Sequence, residues 1–344
     1  MMNMKKIGYI LLSIFLLLTV SCGTENMDEI HETIYVRHEG ADMPAYVHGN
    51  AENKTFLVVL HGAGSFGLAF RDGGFTAELE EKYVVVYFDQ RGQSMSQGHY
   101  SKPDELIDLM AADVEALTQV LKHKYGEDIS LFLMGHSWGG LLSAATLLRP
   151  GHQAAYKGWI NVSGLMNVPA ASMARQELIN YISREQMDIG TSVEAWREIR
   201  VENEVLDPDK DYDAILGVAA KCVKQLLADG TVPPTASSEK LYRALLDNNP
   251  ITWQISHLFN QPVEFAKEAE YSVQERMNEI TLPALFIYGK FDVSVPYFLG
   301  LLSYVELLGD ERKFMRFDSS IHHPHDTEPE LFVTEVAGFI EAYR

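Results

Sequence analysis

The stretch Gly135-His136-Ser137-Trp138-Gly139-Gly140 follows the apolar run Ile129 to Met134 and precedes a helical pattern from Leu141. An apolar strand that turns through Gly-x-Ser-x-Gly into a helix is the context of a nucleophile elbow, where the serine is lifted clear of the sheet. Small residues at 135 and 139 let the two flanking backbones pass close together. The other reading of the same six residues is a Gly-rich strand-to-helix turn without chemistry. Ser137 is the candidate nucleophile, and a serine hydroxyl attacks only when a base takes its proton.

Two later segments supply the missing groups. Leu285-Phe286-Ile287-Tyr288-Gly289-Lys290-Phe291-Asp292 is an apolar strand ending in Gly-x-x-Asp, which delivers a carboxylate to a strand's carboxyl end. Phe317-Asp318-Ser319-Ser320-Ile321-His322-His323-Pro324 is again a strand running into a loop, and it delivers an imidazole. The order Ser, Asp, His, each just beyond a strand, is that of α/β-hydrolases. Two further loops agree. His61-Gly62-Ala63-Gly64 follows the strand Thr55 to Leu60, and Asp89-Gln90-Arg91-Gly92-Gln93-Ser94 follows Tyr83 to Phe88. On these residues the chain resembles an α/β-hydrolase and is most similar to proline-iminopeptidase-like (prolyl aminopeptidase) serine hydrolases, over roughly residues 32 to 344. It departs from that family's usual pattern by lacking a proline in the first loop and a Gly-x-Gly-x-Ser ending in the second.

The resemblance implies a role for each residue. His322 is the base, with His323 the alternative, and His325 and the other of the pair lie at the loop surface. Asp292 accepts from the second ring nitrogen and holds the tautomer. Negative charge that builds on the acyl oxygen calls for two backbone donors already in place. Trp138 N–H is one and Ala63 N–H the other, with Gly64 its neighbouring alternative. The Trp138 side chain walls the substrate pocket or packs in the core, and Gly64 borders substrate. His61 shapes its loop, Asp89 and Arg91 fix a turn, and Asp113 reads as a solvated or capping carboxylate. Neither metal-ligand spacing nor a dinucleotide fingerprint occurs, so no cofactor and no metal are expected.

The whole chain reads as a core with a lid. A hairpin of Thr33 to Val36 and Pro44 to Val47 starts the sheet. Parallel strands are expected near 55–60, 83–88, 129–134, 158–162, 284–288 and 312–317, with helices at 105–125, 141–148, 297–308 and 329–343. This alternation implies an α/β fold, a mainly parallel sheet covered by helices on both faces. Residues 32–164 and 282–344 form that core. Residues 165–281 form an inserted, mostly helical cap, since so long a gap is not a structureless loop. The cap carries Glu194, Glu198, Glu202, Glu204, Asp207, Asp209, Asp211 and Asp213, which read as a solvated helix face or as a clamp for a substrate amine.

Lys5, Lys6 and the apolar run Ile7 to Val20 read as a signal peptide over 1–22, because at ~1.5 Å per residue the run is short of a hydrocarbon core. Ser21-Cys22-Gly23 resembles a bacterial lipoprotein cleavage site, although Thr19 stands where a leucine is usual; an ordinary secretory signal is the other reading. The expectation is an exported protein, lipid-anchored to a membrane through Cys22 on the periplasmic or cell-surface side, with 23–31 as an acidic tether. Cys222 is the one other cysteine and is expected inside a helix. The net charge of −20 excludes a nucleic-acid footprint.

Three functional readings remain. The chain is an aminopeptidase releasing N-terminal proline or small residues from short peptides, or a carboxylesterase or monoacylglycerol-type hydrolase with the same triad. From another class, it is a catalytically silent surface binding protein.

Overall fold

The computed structural model describes residues 29–71, 75–97, 106–234 and 271–344. Cys22 and the signal segment lie outside the described residues, as do 23–28. The expected tether nevertheless ends earlier than 31. Glu29, Ile30 and His31 pair with Asn50, Gly49 and His48, so strand β1 spans Glu29–His38 against β2, Ala41–Asn50. β1 hides its length from composition because it is an edge strand whose exposed positions alternate with half-buried ones.

Six more strands complete one sheet: β3 Thr55–Leu60, β4 Val84–Phe88, β5 Ser130–His136, β6 Gly158–Val162, β7 Ala284–Gly289 and β8 Arg312–Phe317. Their order is β1-β2-β4-β3-β5-β6-β7-β8, with β3 to β8 parallel and β2 antiparallel to both neighbours. Central strands are buried on both faces, which is why they read as unbroken apolar runs.

Period-two alternation splits those runs between two cores. Phe56, Val58, Leu60, Leu131 and Leu133 pack on one face with α2, Leu106–Tyr125, and α3, Trp138–Leu147. Leu57, Val59, Phe132, Met134 and Ile160 pack on the other with α1, Phe75–Glu80, and Phe332, Val336 and Ile340 of the C-terminal helix. The helix expected from Leu141 begins at Trp138, because the Ser137 carbonyl already accepts from Gly140 N–H (2.9 Å) and Leu141 N–H (3.3 Å).

Between β6 and β7 the described residues are helical: α4 Ala171–Ile189, α5 Val193–Glu204 and α6 Tyr212–Ala228. Residues 235–270 of the expected cap lie outside the described residues. The two ends of the insertion meet, since Val168 N–H donates to Tyr271 O (3.1 Å) and Val273 N–H to Met166 O (2.9 Å). A third apolar cluster holds the insertion together through Leu178, Ile182, Trp196, Val218 and Cys222, the last buried in α6 as expected. That cluster continues onto Phe291, Val293 and Ile321 of the core. Helix α7 (Tyr297–Glu306), the short α8 (Pro324–Thr327) and α9 (Pro329–Tyr343) finish the chain.

Candidate active site

Ser137 sits between β5 and α3 at φ 54° and ψ −117°, a conformation that costs a non-glycine residue roughly 1–3 kcal/mol and persists only where the surroundings impose it. They do so from both sides. Ser137 N–H donates to Val162 O at 3.0 Å, which extends the β5–β6 pairing to the turn itself. The crossing of strand and helix is so close that a Cβ on Gly135 would lie 2.1 Å from Gly139 O, and one on Gly139 would lie 2.1 Å from Leu60 O. No larger side chain fits either position, so the two glycines are what allow the turn.

Asp292 is fully buried just beyond β7. Its Oδ1 accepts Ser294 N–H (2.9 Å) and Val295 N–H (2.8 Å), which fixes the carboxylate before any partner arrives. His322 Nδ1 lies 2.9 Å from Oδ2 and 3.1 Å from Oδ1 of Asp292. An ionised carboxylate only accepts, so Nδ1 carries the proton and Nε2 is left as the basic nitrogen. The loop that delivers His322 is braced separately. Glu328 accepts Ser319 N–H (2.9 Å) and Ser320 O–H (2.6 Å), and His136 Nε2–H donates to His322 O at 2.9 Å.

Ser137 and His322 share a cavity of about 820 Å³ with Ala63, Trp138, Ser294 and Val295. Trp138 is the first residue of α3, so its N–H is among the four that a helix leaves without an intrahelical acceptor. Gly64 is not brought to the cavity; its N–H donates to Gln93 Oε1 at 3.2 Å, which leaves Ala63 as the loop residue facing Ser137.

The serine aminopeptidase S33 profile matches residues 51–329, which includes all of these residues. The chain belongs to that family. It is an α/β-hydrolase enzyme. It is 26% identical over 299 residues to the probable aminopeptidase YbaC of Bacillus subtilis (strain 168), covering 85% of this chain and 90% of that one. It is 24% identical over 296 residues to a proline iminopeptidase of Heyndrickxia coagulans, covering 84% and 91%. Among solved structures, an esterase from Exiguobacterium antarcticum superposes with a TM-score of 0.59 at 14% identity, over 91% of this chain and 100% of that one.

In this S33 chain the cap acids divide. Glu194, Glu202 and Glu204 are exposed and pair with Arg197, Lys221 and Arg200, while Glu198 is exposed too. Asp207 pairs with Lys210 and Asp209 is exposed. Asp211 and Asp213 alone of the eight line the Ser137 cavity, flanking Tyr212 at the start of α6.

Several expectations need correction. Asp113 is neither solvated nor a cap: it is 1% exposed and takes Arg91 Nε (2.8 Å) and Nη2 (2.6 Å), with His38 Nδ1 at 2.7 Å. Arg91 is so deeply buried that it needs a full counter-charge. His325 is not on the loop surface but buried, its ring 4.7 Å from Phe70 and 5.5 Å from Phe75. The His323 ring lies 4.9 Å from that of His136, tilted by 38°, and it is His322 that holds the Asp292 carboxylate. His61 shapes its loop as expected, with Nδ1–H on Gly62 O (2.8 Å) and Nε2 accepting Gln90 N–H (3.3 Å). Burial pushes its pKa down to about 4, so it is neutral at physiological pH.

Arg175, Glu328 and His136 were missed as site residues. Arg175 had a signal, since it falls in the stripe Ala171, Arg175, Leu178, Ile182 whose spacing marks the buried face of α4. Glu328 had none, because the donors it accepts from are brought to it by the fold of the loop.

Proposed function

We propose that this S33 enzyme releases N-terminal proline or another small residue from short peptides through an acyl-enzyme on Ser137. The observation that carries the reading is the presence of Asp211 and Asp213 in the same cavity as Ser137 and His322. A carboxylate pair there can hold a free α-amine by charge-assisted hydrogen bonds, which selects the first residue of a peptide. The names of the curated relatives support the same reading.

In the first step His322 Nε2 takes the Ser137 proton as Oγ bonds to the scissile carbonyl carbon, and Asp292 stabilises the imidazolium through Nδ1–H. The carbonyl oxygen becomes an oxyanion held by Ala63 and Trp138 N–H, an interaction worth about 3 kcal/mol per donor. The C–N bond then breaks, with the His322 proton going to the leaving amine. A water attacks the acyl carbon by the same route, giving its proton to His322 and restoring Ser137.

Leu141, Leu165, Val168 and Val295 give the cavity an apolar side, which favours a second reading in which an ester's acyl group lies there. Hydrolysis of prolyl-naphthylamide, its N-acetyl counterpart and a short-chain nitrophenyl ester distinguishes the two. The proposal expects Ser137-dependent cleavage of the free-amine amide and at least about tenfold loss with Asp211→Asn/Asp213→Asn, the scale of a lost charged hydrogen bond. Ester cleavage with neither amide touched would establish the carboxylesterase instead. We further propose export and anchoring through Cys22, supported by the basic Lys5-Lys6 pair and the apolar run Ile7 to Val20.

A further inference from the structure

Arg175 is a buried cation that no carboxylate pairs with among the described residues. It lies on α4 with 6% of its surface exposed, and it lines the cavity that holds Ser137 and His322. Nε donates to Ser294 O at 2.9 Å, and the guanidinium sits 5.4 Å from the Tyr212 ring centre. Nη1 is buried without an acceptor, and among the described residues no carboxylate forms an ion pair with the group. The contrast is Arg91, fully buried and matched by Asp113 and two backbone carbonyls. Burying a charge without a counter-charge is expensive, so an unmatched guanidinium inside a cavity points to an anion that arrives with the ligand.

Bracing α4 on the Ser294 loop needs Nε alone. Nη1 and Nη2 are not used by that brace, and a planar guanidinium is the side chain best suited to a carboxylate. Lys210, the other cation lining the cavity, does not compete, since it is 77% exposed and paired with Asp207. We propose that Arg175 is a carboxylate-binding, specificity-determining residue of this cavity, so that the preferred substrate carries a carboxylate beside its scissile bond. The inference rests on the reading of the Ser137 cavity as the substrate site, and it narrows the substrate class. Tyr212, which stacks on Arg175, stands between Asp211 and Asp213, so one wall offers both signs of charge. A short zwitterionic peptide matches such a wall. The carboxylate comes from the peptide's own C-terminus or from an acidic side chain.

The test is calorimetric binding to the full chain carrying Ser137→Ala, which needs no turnover. Prolyl-alanine is compared with its C-terminal amide, and glutamyl-alanine amide with glutaminyl-alanine amide. The expected result is about 10- to 100-fold tighter binding of the carboxylate member of one pair, the scale of a partly buried charged hydrogen bond. The pair that responds identifies the source. Adding Arg175→Gln weakens the carboxylate member of that pair more than its neutral counterpart and so removes the preference, and Arg175→Lys retains part of it. Equal binding within both pairs, a preference that survives Arg175→Gln, or an equal loss for charged and neutral ligands would overturn the proposal. An enzyme that binds by carboxylate yet cleaves no free-amine amide would sink the aminopeptidase reading alone.

Discussion

Asp89 and His61 pull the pH dependence of this protein in opposite directions from adjoining turns. Asp89 accepts Gly67 N–H (2.7 Å), Met95 N–H (3.1 Å) and Tyr46 O–H (3.2 Å), yet burial outweighs these bonds and pushes its pKa up to about 6 from an ordinary 3.8. A carboxyl whose folded pKa is raised binds its proton more tightly in the folded state. Its contribution is therefore present below pH 4 and is lost as pH rises through about 6. His61, lowered to about 4 from 6.5, does the reverse: stability is lost as pH falls from 6.5 towards 4. Asp89→Asn removes the first effect and leaves the second. Relative to the parent, the variant should gain stability between pH 4 and 7, by at most about 3 kcal/mol for a shift of some two pH units. Urea midpoints across that range measure it, and a difference that is flat with pH would show that Asp89 titrates as an ordinary carboxyl.

At the scale of elements, the elbow is a contact between three backbones, β3, β5 and α3, and Gly139 is where they meet. Gly139→Ala puts a methyl 2.1 Å from Leu60 O, a backbone atom that cannot step aside. Overpacking of this kind costs about 1–3 kcal/mol or more, and here it falls on the end of β3 beside the turn that carries Ser137. The control is Gly338 in α9, where an added Cβ meets nothing within 4 Å. Gly338→Ala should stabilise by up to about 1 kcal/mol through helix propensity alone. Denaturation midpoints that move the same way for both variants would refute this account of the elbow. The elements themselves were largely legible because each carries its own period: continuous apolar runs for central strands, and a 3.6-residue stripe for α2 and α9. What was not legible lies at their joints. The first turn of α3 comes from the strained geometry at Ser137, and the full length of β1 is hidden by its alternating exposed positions.

Across the whole molecule, chain order located the site better than any single motif. Ser137, Asp292 and His322 are each placed just beyond a parallel strand, so the sheet brings Ser137 to two residues well over a hundred positions away. The sequence could not reveal that the cap's apolar cluster ends on Phe291, Val293 and Ile321, the residues beside Asp292 and His322. The insertion that roofs the serine thus also packs against the loops that orient its base. Nor could it separate Asp211 and Asp213, which border the cavity, from their six acidic neighbours, because all eight carboxylates look alike until α6 is docked. Everything functional in this account depends on an activated serine at position 137. A fluorophosphonate probe with peptide-level mass spectrometry tests that directly, on the parent, Ser137→Ala and His322→Ala. The expected outcome is a single adduct on Ser137, absent from Ser137→Ala and formed at least about a thousandfold more slowly in His322→Ala, as loss of a general base requires. An unlabelled parent, or an adduct that persists without Ser137, would contradict the central claim and return the chain to a binding role on a hydrolase fold.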